Sequence, residues 1–128
     1  MKNLIWVHLT FMAAGAILII SAAVIAHGRK QGWFKRHRAL ALSGAAMSLF
    51  ALLAVEILKA SMDIPHLRTP HSICGAVSII LLVITPATGK LISSGGKGMK
   101  SLHKILGRIT LLAVLATAFM GAMQFFKK

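Results

Sequence analysis

Four runs of about twenty mostly apolar residues divide the chain: Leu4–Ala26, Arg38–Leu58, Ser72–Ile92 and Ile105–Phe125. An α-helix of that length crosses the hydrocarbon core of a bilayer, and helical hydrogen bonding satisfies its backbone there. The breaks "HGRKQGWFKRH", "KASMDIPHLRTPH" and "SSGGKGMKSLH" are short and carry Gly, Pro or Ser. Short breaks make neighbouring helices antiparallel. The expected fold is all-α: one integral membrane four-helix bundle over residues 1–128, running up-down-up-down. A composition 57% hydrophobic and 13% charged agrees. The first run is read as a span, not a signal peptide: its basic n-region is only Lys2 and its apolar stretch is too long. Thr69-Pro70 is a helix start signal, with Thr as cap and Pro at the first position. Pro86, within the third run, is expected to kink it.

The formal net charge is +13, and Glu56 and Asp63 are the only acids. The basic residues cluster between the apolar runs instead of lining a solvated face. That pattern points to lipid head groups as the partner and not to nucleic acid. Arg29, Lys30, Lys35, Arg36 and Arg38 fall in the first break, and Lys90, Lys97, Lys100, Lys104 and Arg108 around the third. These share one side of the membrane. Lys2, Lys59, Arg68, Lys127 and Lys128 share the other. The positive-inside rule then places both termini outside, which in a Gram-negative bacterium is the periplasmic side of the inner membrane. Cys74 is the single cysteine, so an intrachain disulfide, a Cys-rich zinc site and covalent C-x-x-C-H haem attachment are all excluded.

Six histidines occur, and His8, His37, His71 and His103 each lie at or just inside the start of a run. Antiparallel packing puts His8 and His71 at one depth and His37 and His103 at the other. In a bundle wound in order, each pair faces across the centre, the arrangement that clamps a flat ring from both sides. Glycines share their faces: Gly15 and Gly44 follow seven residues after His8 and His37, and Gly75 and Gly107 four after His71 and His103. Absent side chains there leave room for a porphyrin. Gly89 and Gly121 each follow their histidine by eighteen residues and fall where the ring of the other layer would lie.

The reading is a transmembrane electron-transfer cytochrome with two non-covalent b haems. His8 and His71 ligate the outer iron, and His37 and His103 the inner one. Histidine on both sides leaves no open iron position, which suits electron transfer over oxygen activation. Haem propionates need cationic partners; Arg38 and Arg108 are candidates on the inner side and Arg68 on the outer. The activity class is an electron carrier or transmembrane oxidoreductase. His27 and His66 read as interfacial or loop residues. Glu56 either pairs with Lys59 or accepts protons near the outer haem. Other readings are a quinol-oxidising cytochrome b subunit of a larger complex, a small four-helix transporter using Glu56, and a haem-free assembly protein.

"WFKRHRAL", "HSICG" and "LHKILGRI" resemble the helix starts of the cytochrome b561 family, including its DOMON-associated relatives. The resemblance runs from about His8 to Gly121. It implies a four-helix core in which four histidines bind two b haems, one near each face. His8, His37, His71 and His103 match the family's ligand positions, paired first with third and second with fourth. "HSICG" is similar to the "HSWCG" of ascorbate-using members, whereas their "ALLVYR" segment is not found here. Members usually have six helices; this chain holds the core four, with no DOMON domain ahead of it. The resemblance therefore implies an electron conduit working with quinol, a periplasmic cytochrome or a redox subunit, and a homodimer.

The charge asymmetry yields a test of orientation. A C-terminal alkaline phosphatase fusion is expected to be active and a cytoplasm-dependent fluorescent fusion dark. The opposite result would exchange the inner and outer assignments.

Overall fold

The structure, a computed structural model, describes residues 2–95 and 98–126. It contains four helices, α1 (Lys2–Gly28), α2 (Trp33–Ser61), α3 (Pro70–Ser93) and α4 (Met99–Phe126), and no strand among the described residues. Each is long and apolar enough to cross a membrane. Lys97, Lys127 and Lys128, counted above for orientation, lie outside the described residues.

The helices outrun the apolar stretches, most clearly at the starts of α2 and α4. Long basic side chains reach from a helical backbone to the head groups, so charge need not end a helix. Left-handed glycines set the starts instead: Gly32 (φ 73°) precedes α2 and Gly98 (φ 89°) precedes α4. Consequently His37 and His103 lie inside the first turns of their helices, not before them. Thr69 caps α3 as expected. It accepts from Ser72 N at 3.2 Å while its own N donates to Ser72 Oγ at 3.0 Å, with Pro70 at the first helical position. α3 passes through Pro86 as one helix.

The bundle is two hairpins. α1 packs extensively on α2 and α3 on α4, while α1 touches α4, and α2 touches α3, only slightly. The diagonal helices make no such approach, so the helices stand in cyclic order around a central seam.

The hairpins are closed by different chemistry. In the first, the backbones approach: a Cβ on Gly15 would lie 2.6 Å from Ser48 Oγ and 3.0 Å from Gly44 O, and one on Gly44 would lie 2.9 Å from Gly15 O. In the second, hydroxyls pair. Ser78 donates to Thr117 Oγ1 at 3.0 Å and Thr85 to Thr110 Oγ1 at 2.8 Å. The donor sense follows because Thr117 and Thr110 already donate to the carbonyls of Ala113 and Leu106. Small residues and interhelical hydrogen bonds are the means by which helices associate where lipid removes the hydrophobic drive. Ile19, Ala45, Leu82 and Val114, one from each helix, form the buried apolar centre.

This geometry corrects one expectation. Gly15 and Gly44 face each other across the α1–α2 crossing, so their missing side chains let two backbones meet and do not face the seam between the hairpins.

Gly15→Ala and Gly44→Ala should each destabilise the detergent-solubilised protein, by about 1–3 kcal/mol as overpacking does. Gly28→Ala, whose Cβ would meet nothing within 4 Å, should leave the melting temperature unchanged.

Candidate functional site

The structure brings the four helix-start histidines together in two pairs. The rings of His8 and His71 are 6.5 Å apart, centroid to centroid, and nearly perpendicular at 89°. Those of His37 and His103 are 6.1 Å apart at 88°. Each pair spans the seam, with one histidine from each hairpin. His27 ends α1, exposed, and joins neither pair.

Each of the four rings donates to a backbone carbonyl of the neighbouring helix. His8 Nδ1–H donates to the carbonyl of Ala51 at 2.9 Å, and His37 Nδ1–H to that of Ala22 at 2.9 Å. His71 Nδ1–H donates to the carbonyl of Thr117 at 3.0 Å, and His103 Nδ1–H to that of Thr85 at 3.0 Å. A carbonyl only accepts, so Nδ1 carries the proton and Nε2 keeps its lone pair. These bonds stay within a hairpin, whereas the ring pairs cross between hairpins.

The acceptors follow a rule. Ala22, Ala51, Thr85 and Thr117 each lie fourteen residues after the histidine of their own helix. Fourteen residues rise about 21 Å and return nearly to the same helix face. Each helix thus offers a histidine at one depth and an accepting carbonyl at the other. Ala22 and Ala51 are small and buried, which lets an imidazole reach the backbone behind them.

Glycines clear space for these rings in the second hairpin. A Cβ on Gly121 would stand 2.9 Å from His71 Cε1, and one on Gly89 3.2 Å from His103 Cε1. The space expected for a ring of the other layer thus holds the neighbouring helix's imidazole. Gly75 makes only ordinary contact, 3.7 Å from Thr117 Cγ2, and Gly107 faces open space. A cavity of about 230 Å³ opens beside His71, lined by Pro70, His71, Met120, Met123 and Gln124.

Around the site, Arg38, Arg68 and Arg108 are exposed, and none joins an ion pair among the described residues. Glu56 does. Its Oε1 takes Lys59 Nζ at 3.0 Å, and its Oε2 takes Nδ1 of His66 from the α2–α3 loop. The Lys59 partnership was one of two expectations for Glu56. The His66 contact was missed, because the loop folds back through left-handed residues Asp63 (φ 52°) and Leu67 (φ 54°) that have no glycine to announce them. Trp33 sits against His37 with ring centroids 6.2 Å apart.

The donor set fits a porphyrin iron. Two imidazoles ligating one metal by bonds of about 2 Å stand with ring centroids roughly 6 Å apart. Both pairs meet that spacing, with Nε2 free and Nδ1–H anchored, as metal-ligating histidine requires. Four membrane-crossing helices around such pairs define a b-type haem electron-transfer protein of the membrane. The chain belongs to the cytochrome b561 family: the family profile described as eukaryotic cytochrome b561 matches residues 3–122, nearly its whole length. No curated protein and no solved structure matches it.

Gly121→Ala should push the His71 ring off its Thr117 carbonyl. The expected outcome is less bound haem per polypeptide than wild type, measured by pyridine haemochrome, with Gly28→Ala unaffected.

Proposed function

We propose that this chain passes electrons across the membrane through two b haems, each held between a pair of histidines. His8 and His71 hold one near one face, and His37 and His103 hold the other near the opposite face. The observation that carries the reading is the anchored geometry of the four rings: Nδ1–H bonded to a carbonyl, Nε2 free, and pair spacings of 6.5 and 6.1 Å.

Bound haem supplies a one-electron ferric–ferrous couple. The residues supply the rest. The carbonyl bonds fix each imidazole's tautomer and direction, so a haem iron held there would change charge against a rigid ligand. A haem held between the two histidines of a pair would have imidazole on both sides and supply electron transfer with no site left open for oxygen. Ile19, Ala45, Leu82 and Val114 fill the centre between the layers and keep water out. The layers stand about 21 Å apart along the helices, so two rings divide a hydrocarbon core of about 30 Å.

Gly75 and Gly107 leave room beside His71 and His103, and Arg38, Arg68 and Arg108 are free to meet propionates near the head groups. Redox partners at the two faces are a quinol, a periplasmic cytochrome or a redox subunit, with a homodimer as the assembled form. Both termini face the outer, periplasmic side of a bacterial inner membrane. Glu56 lies near the end of α2 and is held by Lys59 and His66, which supports the cytochrome reading over a transporter with Glu56 as coupling acid.

Purified protein expressed with haem supply should bind about two extractable haems per polypeptide, the number of histidine pairs present. His37→Ala or His103→Ala should remove one haem and spare the other, and His8→Ala or His71→Ala the reverse. His27→Ala and His66→Ala should keep both. In liposomes, transfer from a trapped impermeant reductant to an outside acceptor should fall sharply in any variant lacking one haem. Equal transfer by such a variant would break the series arrangement.

A further inference from the structure

One of the four histidines is held differently from the rest. His103 Nδ1 lies 3.0 Å from the Thr85 carbonyl and also 3.0 Å from Thr88 Oγ1. Thr88 is 6% exposed. Its own hydroxyl proton is engaged, donated to the Thr85 carbonyl at 2.7 Å. Its oxygen is therefore the acceptor toward His103, and one N–H is shared between two oxygens. For His8, His37 and His71 the structure gives a single carbonyl partner each.

The difference is local to this helix. Thr88 lies seventeen residues after His71, and the corresponding positions after His8, His37 and His103 are Ile25, Ala54 and Met120. None of those side chains carries a hydroxyl. The extra acceptor is thus a departure from the repeat that otherwise treats the four rings alike.

We propose that Thr88 is a positioning residue that lowers the reduction potential of the haem ligated by His37 and His103. The inference rests on the bis-histidine reading above. An acceptor on Nδ1–H draws the proton outward and leaves the ring richer in electrons. Nε2 then donates more strongly and favours ferric over ferrous iron. A hydroxyl that itself donates is polarised and accepts better, and the buried setting strengthens both bonds. The contribution tilts the chain so that electrons run downhill from the His37/His103 layer toward the His8/His71 layer.

The test is a spectroelectrochemical titration of full-length haem-loaded protein, comparing wild type, Thr88→Val, Thr88→Ser and Thr110→Val. The His71→Ala background isolates the haem in question. Thr88→Val keeps the shape and removes the hydroxyl. It should raise that haem's potential, so that its reduced-to-oxidised ratio at fixed ambient potential rises about fivefold to tenfold; tenfold is about 59 mV for one electron. Thr88→Ser should stay near wild type. Thr110→Val removes a buried hydroxyl of the same interface that bonds Thr85 Oγ1 and no histidine, and should not shift the potential. An unchanged potential in Thr88→Val with haem retained would overturn the inference. An equal rise in Thr88→Ser or Thr110→Val would overturn it too. If His103→Ala kept every haem, the ligand reading itself would fail, a result distinct from either.

Discussion

The hydrogen bond from a histidine Nδ1–H to a backbone carbonyl of the neighbouring helix is the interaction on which the rest of this bundle depends. An imidazole in a membrane helix is a polar group in an apolar medium, and it stays there only if its polar atoms are satisfied. The carbonyl satisfies one nitrogen and thereby assigns the other its role. Because the bond is made inside a hairpin, each ring is oriented before the opposite hairpin or any cofactor is considered. The helix partners, the positions of Ala22 and Ala51 and the clearance at Gly89 and Gly121 all serve that one geometry.

The two hairpins solve the same problem with different residues. The first brings α1 and α2 together through bare backbone at Gly15 and Gly44; the second joins α3 and α4 through pairs of hydroxyls. Contact between hairpins is slight, and the histidine pairs cross that boundary. A metal-centred ring bound by one histidine from each side, as proposed, would link two bodies that hold little of each other directly. Ligation and assembly would then be one event, as they are in other proteins whose metal sites are completed only on folding.

Much of this was legible in the sequence, for definable reasons. Four apolar runs dictated four helices, Thr69-Pro70 announced a start, and antiparallel order alone put His8 beside His71 and His37 beside His103. What was not legible involves groups with no sequence signature. Every residue has a carbonyl, so nothing marked Ala51 or Thr117 as acceptors. A glycine is the same letter whether it admits a backbone, admits an imidazole or faces open space; Gly15, Gly121 and Gly107 are separated only by what stands opposite them. The Glu56–His66 contact depended on loop residues with positive φ that are not glycine. Apolar runs understate the helix ends because a charged residue need not end a helix: Lys35, Arg36 and Lys104 lie within helices.

The fourteen-residue interval between each histidine and its helix's accepting carbonyl makes the bundle a ruler of fixed length. A single residue inserted between His8 and Ala22 would turn everything beyond it by about 100° and carry the carbonyl away from His37. The same holds for every helix, and the hairpins interlock, so no one helix can lengthen alone. A protein that needs a longer span commonly gains it by adding residues; this core has no such freedom between its two layers. In a thicker bilayer it must tilt less or thin the lipid around it, which costs fractions of a kcal/mol per Å of mismatch. The four imidazole–carbonyl bonds thus fix the part of the span that lies between the two layers.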